Sequence, residues 1–413
     1  MRLLYLSTAR IPGEKANTYQ VLQMCDAFSA VGMKVTLLHP ERVNIPQMRQ
    51  IKDIKRYYKL HHHFSIEVLP VLDMIYLSNR LLSPFPKLLR VLQVKLFKLL
   101  MTSYRSSLIR YLRNHSADIY YCRNVKIIRT ITIKFPELAP KLFYEAHDFP
   151  KKSIEQQKTG NLLNQIAGLV TTTNQLRNRY HNIGIPPERI LVAPDGVDLE
   201  RFKHPVLDKK ESRESLSLPY DRKIVGFAGQ LETLGKERGV AQIIEAIAVL
   251  KRDSPSSKVS LCCVGGPEEI RQKYQSQARQ LGLSVDEAKF VKQVHPAEVP
   301  KYLSAFDICA MPYPWTQFYA YYVSPLKLFE YMASKRVILG TKLPAIEEIL
   351  KHKINAYLVQ PNDTMDLANG IHWLISHQKE AQRMADQAWQ DVQEYSWKKR
   401  AERIVDYMKT RTE

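Results

Sequence analysis

Ser324-Pro325-Leu326-Lys327-Leu328-Phe329-Glu330-Tyr331-Met332-Ala333 reads as the opening turns of a helix with unusual equipment. Ser324 suits an N-cap, and Pro325 suits the first helical position, where its missing N–H costs nothing. Lys327 then falls in the first turn, where the helix dipole is already positive, so a cation there is unfavourable unless an anion sits in front of it. Glu330 follows three residues later on roughly the same face. Free N–H groups, a lysine and a carboxylate one turn behind suit a nucleotide ribose-diphosphate. An ordinary amphipathic helix with a solvated Lys and Glu fits the same spacing, and only the flanking chain separates the two.

Immediately downstream, Val337-Ile338-Leu339-Gly340 reads as a short buried strand, and Leu343 to Leu350 as a Pro-containing turn and the next helix. Over this stretch the chain resembles the family 4 retaining glycosyltransferases (glycosyltransferase group 1 type), whose donor site carries S-P-L-K-x-x-E-Y-M-A, a strand and such a turn. The resemblance implies α/β structure of the GT-B type, two Rossmann-like doubly wound parallel-sheet domains facing across a cleft. It also implies transfer of a sugar from a nucleotide diphosphate sugar to an acceptor hydroxyl with retention, the glutamate at Glu330 holding the ribose hydroxyls.

Upstream, Lys223-Ile224-Val225-Gly226-Phe227-Ala228-Gly229 is a strand running into a glycine, and a helix opens at Gly239. This order places backbone N–H groups at a sheet edge, where a phosphate binds. The family has an arginine after that glycine and a Lys-Gly pair opening the helix. Here Gln230 and Arg238-Gly239 stand instead, so Arg238 and Lys327 are the expected catalytic cations for the leaving diphosphate. By resemblance Gly229, Ser324, Pro325 and Leu326 face the donor, and Val294 and His295 lie at the nucleotide base. The family's usual first glutamate, eight residues before the second, is Tyr322 here, which implies altered sugar recognition.

In the first half, Arg2 to Ser7, a loop, a helix to about Ala30 and Lys34 to His39 make a βαβ unit. The family's loop has a Gly-Gly pair beside the acceptor; here Gly13 stands alone, with Lys15 and Asn17 as further acceptor-side candidates. The strand Leu142-Phe143-Tyr144-Glu145 ends at His147, at the carboxyl edge where open α/β sheets take ligands. By resemblance His147 lies near the transferred sugar, and a satisfied structural histidine is the alternative. Asp195-Gly196 is a turn signal inside a Pro-Asp-Gly-Val-Asp motif that closes the first domain.

The expected boundaries are 1–204 for an acceptor-binding domain, 205–222 for a polar linker and 223–394 for the nucleotide-sugar domain. A helix at 395–413 is expected to cross back to the first domain. Residues 43–115 break the βα rhythm and are expected to form a basic insert. His61, His62 and His63 diverge in direction and read as a flexible loop rather than a metal site.

The net charge of +20 is uneven: residues 1–205 hold 31 basic and 15 acidic side chains, and residues 42–113 hold 14 and 3. A helix from about Ser83 to Asn114 sets Leu88, Leu92, Leu96, Leu99 and Leu100 on one face among basic residues. That pattern suits an anionic membrane surface, or else a packed helix with a solvated basic side. No nucleic-acid motif accompanies the charge, so nucleic acid is not an expected partner. The expected partners are a UDP- or GDP-linked donor and a glycan or lipid-linked glycan acceptor. No Asp-x-Asp signature stands out, so neither metal nor other cofactor is expected. No apolar run reaches the 18 or more residues that span a bilayer. The five cysteines lack metal-ligand spacing. A cytoplasmic address, peripheral on the inner face of a membrane, follows as the expectation. Rival readings are a nucleotide-sugar epimerase or phosphorylase-like enzyme on the same fold, and a non-catalytic membrane-associated relic.

Overall fold

The computed structural model describes residues 1–75, 86–202, 208–233, 235–254 and 258–412, with residues 86–91 described by backbone alone. The start of the expected basic helix, the side chain of its Leu88, and Pro205 of the expected linker fall outside the described residues. The chain divides into two units: Met1–Thr172 with Leu176–Ala193 and Trp397–Glu413, and Thr173–Gln175 with Pro194–Ser396.

The first unit is built on a seven-stranded sheet in the order β3-β2-β1-β4-β5-β6-β7. Its strands are β1 Arg2–Leu6, β2 Lys34–Pro40, β3 Ser65–Leu69, β4 Ile119–Cys122, β5 Leu142–Ala146, β6 Gly168–Thr171 and β7 Ile190–Val192. All pair in parallel, with Leu4 beside Thr36 on one side and Tyr120 on the other. The central strands are apolar along their length because helices cover both sheet faces. The strand order reverses between β1 and β4, which opens a crevice at their carboxyl ends.

Three expectations for this unit are corrected. Residues 43–115 do keep the βα rhythm: β3 extends the sheet beside β2, and the helix Pro86–Asn114 is the crossover to β4. Four of the five β3 residues remain partly or wholly exposed, so an edge strand this polar carries little apolar signal. The helix packs through Leu100, Tyr104, Leu108 and Leu112, while Val94, Phe97 and Leu99 stay exposed. The histidine run is pinned rather than loose. Asp26 accepts the backbone N–H groups of His61 and His62 at 2.8 and 2.7 Å and lies 3.1 Å from Nδ1 of His62.

The second unit carries a six-stranded parallel sheet in the order β12-β11-β8-β13-β14-β15. Here β8 is Lys223–Ala228, β11 Val259–Val264, β12 Ala288–Val291, β13 Ile308–Met311, β14 Val337–Thr341 and β15 Tyr357–Val359. Between β8 and the helix Val240–Asp253 lies a two-stranded antiparallel hairpin, β9 Glu232–Thr233 and β10 Lys236–Glu237. One sheet face packs Phe306, Met311, Leu328 and Phe329, and the other packs Val225, Phe227, Ile243 and Ile371. The reversal of strand order falls between β8 and β13.

The expected linker is folded into this unit. Helix Lys209–Ser215 is capped at both ends of its first turn by Asp208 and Glu211. Its buried Arg213 donates to the Ala305 carbonyl at 2.9 Å and to Asp307 at 2.5 Å. The segment's polar composition satisfies buried partners instead of water. Among the described residues no helix is long and apolar enough to cross a membrane, and all five cysteines are buried free thiols.

Candidate functional site

The second unit's crevice is floored by glycine. Gly229 directly follows β8 with φ +132°, and its N–H is taken by the Val264 carbonyl at 2.9 Å. A Cβ at Gly229 would stand 3.3 Å from both Cε and Nζ of Lys327, so the bare backbone leaves the lysine room. Gly239, with φ +83°, opens the helix Val240–Asp253, and a Cβ there would fall on the Pro312 carbonyl oxygen.

Helix Leu326–Ala333 starts one residue later than its sequence suggests. Pro325 occupies the N-cap position in extended conformation, and Ser324 is not the cap. The Ser324 hydroxyl instead accepts the backbone N–H of Asp195 at 2.9 Å, tying the Pro-Asp-Gly turn to the helix entrance. A proline at the cap has no side-chain acceptor, so the first-turn N–H groups receive no side-chain cap.

Lys327 is the unusual group. Its side chain is buried, and Nζ has no hydrogen-bond partner. The ammonium lies 3.3 Å from the centroid of the Phe227 ring and 5.9 Å from that of Tyr313. Burial, reinforced by the nearby Arg238 guanidinium, holds its pKa well below the ordinary lysine value. Arg238 faces the same Tyr313 ring from 5.9 Å, and Thr233 of the hairpin accepts from its Nε at 2.8 Å and from a terminal nitrogen. Two cations thus converge on one aromatic wall with no carboxylate salt-bridged to either among the described residues. An anion completes such an arrangement, and a diphosphate has the charge to satisfy both.

Glu330, one turn behind, is not free to swing. Arg201, its side chain 4% exposed, donates to Glu330 Oε1 at 3.3 Å and to the Pro296 carbonyl at 2.5 Å. Arg201 is the residue that sequence reasoning missed. It stands 129 positions from its partner, and nothing local in Leu199-Glu200-Arg201-Phe202 announces the pairing.

The remaining expected donor-side residues have the following settings. His295 is exposed, and its Nδ1 accepts the Ala297 N–H at 3.1 Å, which starts the short turn Pro296–Glu298. Val294 packs half-buried on the core, and Leu326 is half-buried at the helix start. Tyr322 ends a wide helical turn, Phe318–Tyr322, with its ring centroid 6.5 Å from that of Tyr321. A cavity of about 890 Å³ lies at the other end of the sheet, where Lys223 and Val259 begin β8 and β11. None of the expected site residues lines it.

In the first unit, Gly13 is buried with its backbone fully used: the Tyr58 hydroxyl donates to its carbonyl at 2.7 Å and accepts its N–H at 2.8 Å. Lys15 is exposed at the start of helix Ala16–Ala30. Asn17 Oδ1 accepts from Arg123 at 2.9 Å. His147 donates from Nε2 to Glu145 Oε1 at 2.5 Å, and its side chain is 26% exposed. Sequence reasoning singled out His147 and Asn17 but not Arg123 and Glu145, which join the two.

Residues 222–377 match the family Glycosyl transferases group 1. Among curated relatives, a D-inositol 3-phosphate glycosyltransferase of Corynebacterium urealyticum is 26% identical over 53% of this chain and 50% of its own length. One of the same name from Jonesia denitrificans is 23% identical over 70% of this chain and 67% of its own. The chain spans about half the length of the first of these relatives. Solved structures show the fold over nearly the whole chain. A glycosyltransferase from Rickettsia africae superposes with a TM-score of 0.72 at 13% identity, covering 99% of this chain and 98% of that one. The Anabaena protein Alr3699/HepE, solved with UDP-glucose, gives 0.68 at 17% identity over 99% and 100%. Two Rossmann-like parallel sheets of seven and six strands are thus the GT-B fold.

Proposed function

We propose that this chain, whose residues 222–377 belong to the group 1 glycosyl transferases, moves a sugar from a nucleotide diphosphate sugar to an acceptor hydroxyl with retention at the anomeric carbon. One observation carries the reading: a buried lysine without a partner, beside a glycine that leaves space in front of it. Burying an unpaired amine is costly, and a bound diphosphate recovers that cost where the leaving group gains charge. Arg238, anchored by Thr233, grips the same diphosphate, so the two side chains take the place of a divalent ion. Glu330, set by Arg201, accepts the ribose hydroxyls. In the first unit, His147 is the candidate for contact with a sugar. Alr3699/HepE, solved with UDP-glucose, makes UDP-sugars the first donors to test, with GDP-sugars beside them. The relatives named for D-inositol 3-phosphate make that polyol phosphate an acceptor to offer alongside lipid-linked glycans.

Thermal shifts against a panel of UDP-, GDP- and ADP-sugars, followed by product analysis with labelled donor, test the proposal. Stabilisation by one nucleotide class, with label transferred only when acceptor is present, is expected. Epimerised donor without acceptor would mark an epimerase, and no binding at all would mark a relic. Arg238→Ala is expected to lower turnover about tenfold to a hundredfold, as for a charge that shares its load with a second cation. Unchanged kinetics in that variant would remove Arg238 from the site.

We place the first unit on an anionic membrane surface by the same reading. Val94, Phe97 and Leu99 on the helix Pro86–Asn114 are exposed, as are Leu72 and Met74, with Lys95 and Lys98 beside them. Apolar side chains interleaved with lysines suit the headgroup boundary, each cation contributing about 1 kcal/mol at an anionic leaflet. The protein is expected to float with vesicles containing phosphatidylserine and to be released by salt. Phe97→Ser with Lys98→Glu should abolish flotation; retention by that variant would exclude this face.

A further inference from the structure

Glu145, the penultimate residue of β5, has a wholly buried side chain and collects donors from four elements. Its Oε1 accepts from Gln20 at 2.8 Å, from Arg400 at 3.1 Å and from His147 Nε2 at 2.5 Å. The Tyr121 hydroxyl donates to Oε2, and Arg123 Nε stands 3.8 Å from Oε1. Arg400 is itself fully buried and comes from the last helix, Trp397–Thr412, which lies against helix Ala16–Ala30. Burial pushes the Glu145 carboxyl upward, but Arg400, His147 and Arg123 together hold it well below the usual carboxylate range.

We infer that Glu145 and Arg400 are positioning residues for His147, fixing the imidazole proton on Nε2 and leaving Nδ1 as the atom that meets a sugar hydroxyl. An ionised carboxylate can only accept, so the nitrogen 2.5 Å from it must carry hydrogen. The neutral ring then has its lone pair on Nδ1, which has no hydrogen-bond partner among the described residues. Arg400 is what lets Glu145 stay ionised in a dry site without drawing a second proton onto the ring. The charged groups gathered on Glu145 beside the imidazole are Arg123 and Arg400, and the exposed Asp148 is next in the chain. With Arg400 removed, the buried carboxylate loses its largest counter-charge, and the cheapest remedy is a protonated imidazole. The last helix therefore contributes to the site through a side chain that touches no substrate. The activity arm of this inference rests on the transferase reading above; its spectroscopic arm does not.

The test is nitrogen-15 NMR of the His147 ring in the full chain without substrates. The parent protein should show the Nε2–H tautomer alone at alkaline pH. In Arg400→Met the ring should carry hydrogen on both nitrogens at neutral pH, and Arg400→Lys should return it to the Nε2–H form. Where Arg400→Met fails to fold, Glu145→Gln with Arg400→Met removes both buried charges and leaves an amide that donates or accepts. That double variant should show mixed tautomers. In transfer assays it should lose about tenfold or more in kcat, while the donor KM moves less than about twofold. A folded Arg400→Met whose ring keeps the parent spectrum, or a double variant that keeps Nε2–H alone, would overturn the inference. An inactive parent protein with the expected ring spectra would overturn only the transferase reading.

Discussion

Replacing Lys327 by methionine should lower transfer about 10²–10³-fold, the loss typical of one preorganised group aimed at developing charge. The same change should raise the melting temperature of the free protein. An amine left buried and unpaired costs about 1–3 kcal/mol, and the Phe227 face 3.3 Å away returns about 0.5–2. A net gain near 1 kcal/mol corresponds to about 2–4 °C for a unit of this size. The pH dependence has a fixed sign. Burial and Arg238 depress the folded-state pKa of Lys327 below the unfolded value, so between the two the unfolded chain binds more protons and stability rises with pH. The advantage of methionine is therefore largest below the depressed pKa and shrinks as pH climbs toward the ordinary lysine value. Calorimetry across pH 6 to about 10 reads this directly. A variant with parental turnover, or one that melts below the parent across the whole range, contradicts the role assigned to this amine.

Gly239→Ala should unfold or severely loosen the second unit. At φ +83° an alanine meets about 1–2 kcal/mol of backbone strain. Its methyl would also overlap the Pro312 carbonyl oxygen, which belongs to backbone and cannot rotate aside. Overpacking of that kind adds about 1–3 kcal/mol. The displaced turn carries Arg238 on one side and Tyr313 on the other, so donor binding should fail even where the unit still folds. Gly235→Ala is the matched control. It shares the left-handed backbone at φ +73°, but its nearest neighbour is a flexible Glu232 oxygen at 3.9 Å. It should cost only the backbone strain, about 1–2 kcal/mol. Equal melting losses in the two variants would show that the contact with Pro312 carries no weight.

The elements most visible in the sequence were those whose signal is local. Ser324 to Ala333 and Lys223 to Gly229 announce their strand and helix through apolar runs and punctuation by proline and glycine, and the structure has both. Strand β3 was invisible because an edge strand is half solvated, and the hairpin between Gly229 and Gly239 because two-residue strands leave no periodicity. The cap at Ser324 was misread for a different reason. A serine before a proline looks like a cap in one dimension, whereas its hydroxyl is claimed by Asp195 from far away in the chain. Arg201 with Glu330 and Arg400 with Glu145 belong to the same class. Buried charges find partners by topology, and a single sequence lists the charges without saying which of them are buried.

The first unit has a consequence for the order in which the chain can mature. Its sheet is made from early residues, yet the arginine that neutralises Glu145 and the tyrosine at 407 that seals Gly168 and reaches the Arg189 carbonyl at 2.6 Å arrive with the final helix. Domains usually fold as they leave the ribosome, amino-terminal first. Here the earliest sheet is made with Glu145 short of its largest counter-charge, and Arg400 arrives only after the whole second unit has been synthesised.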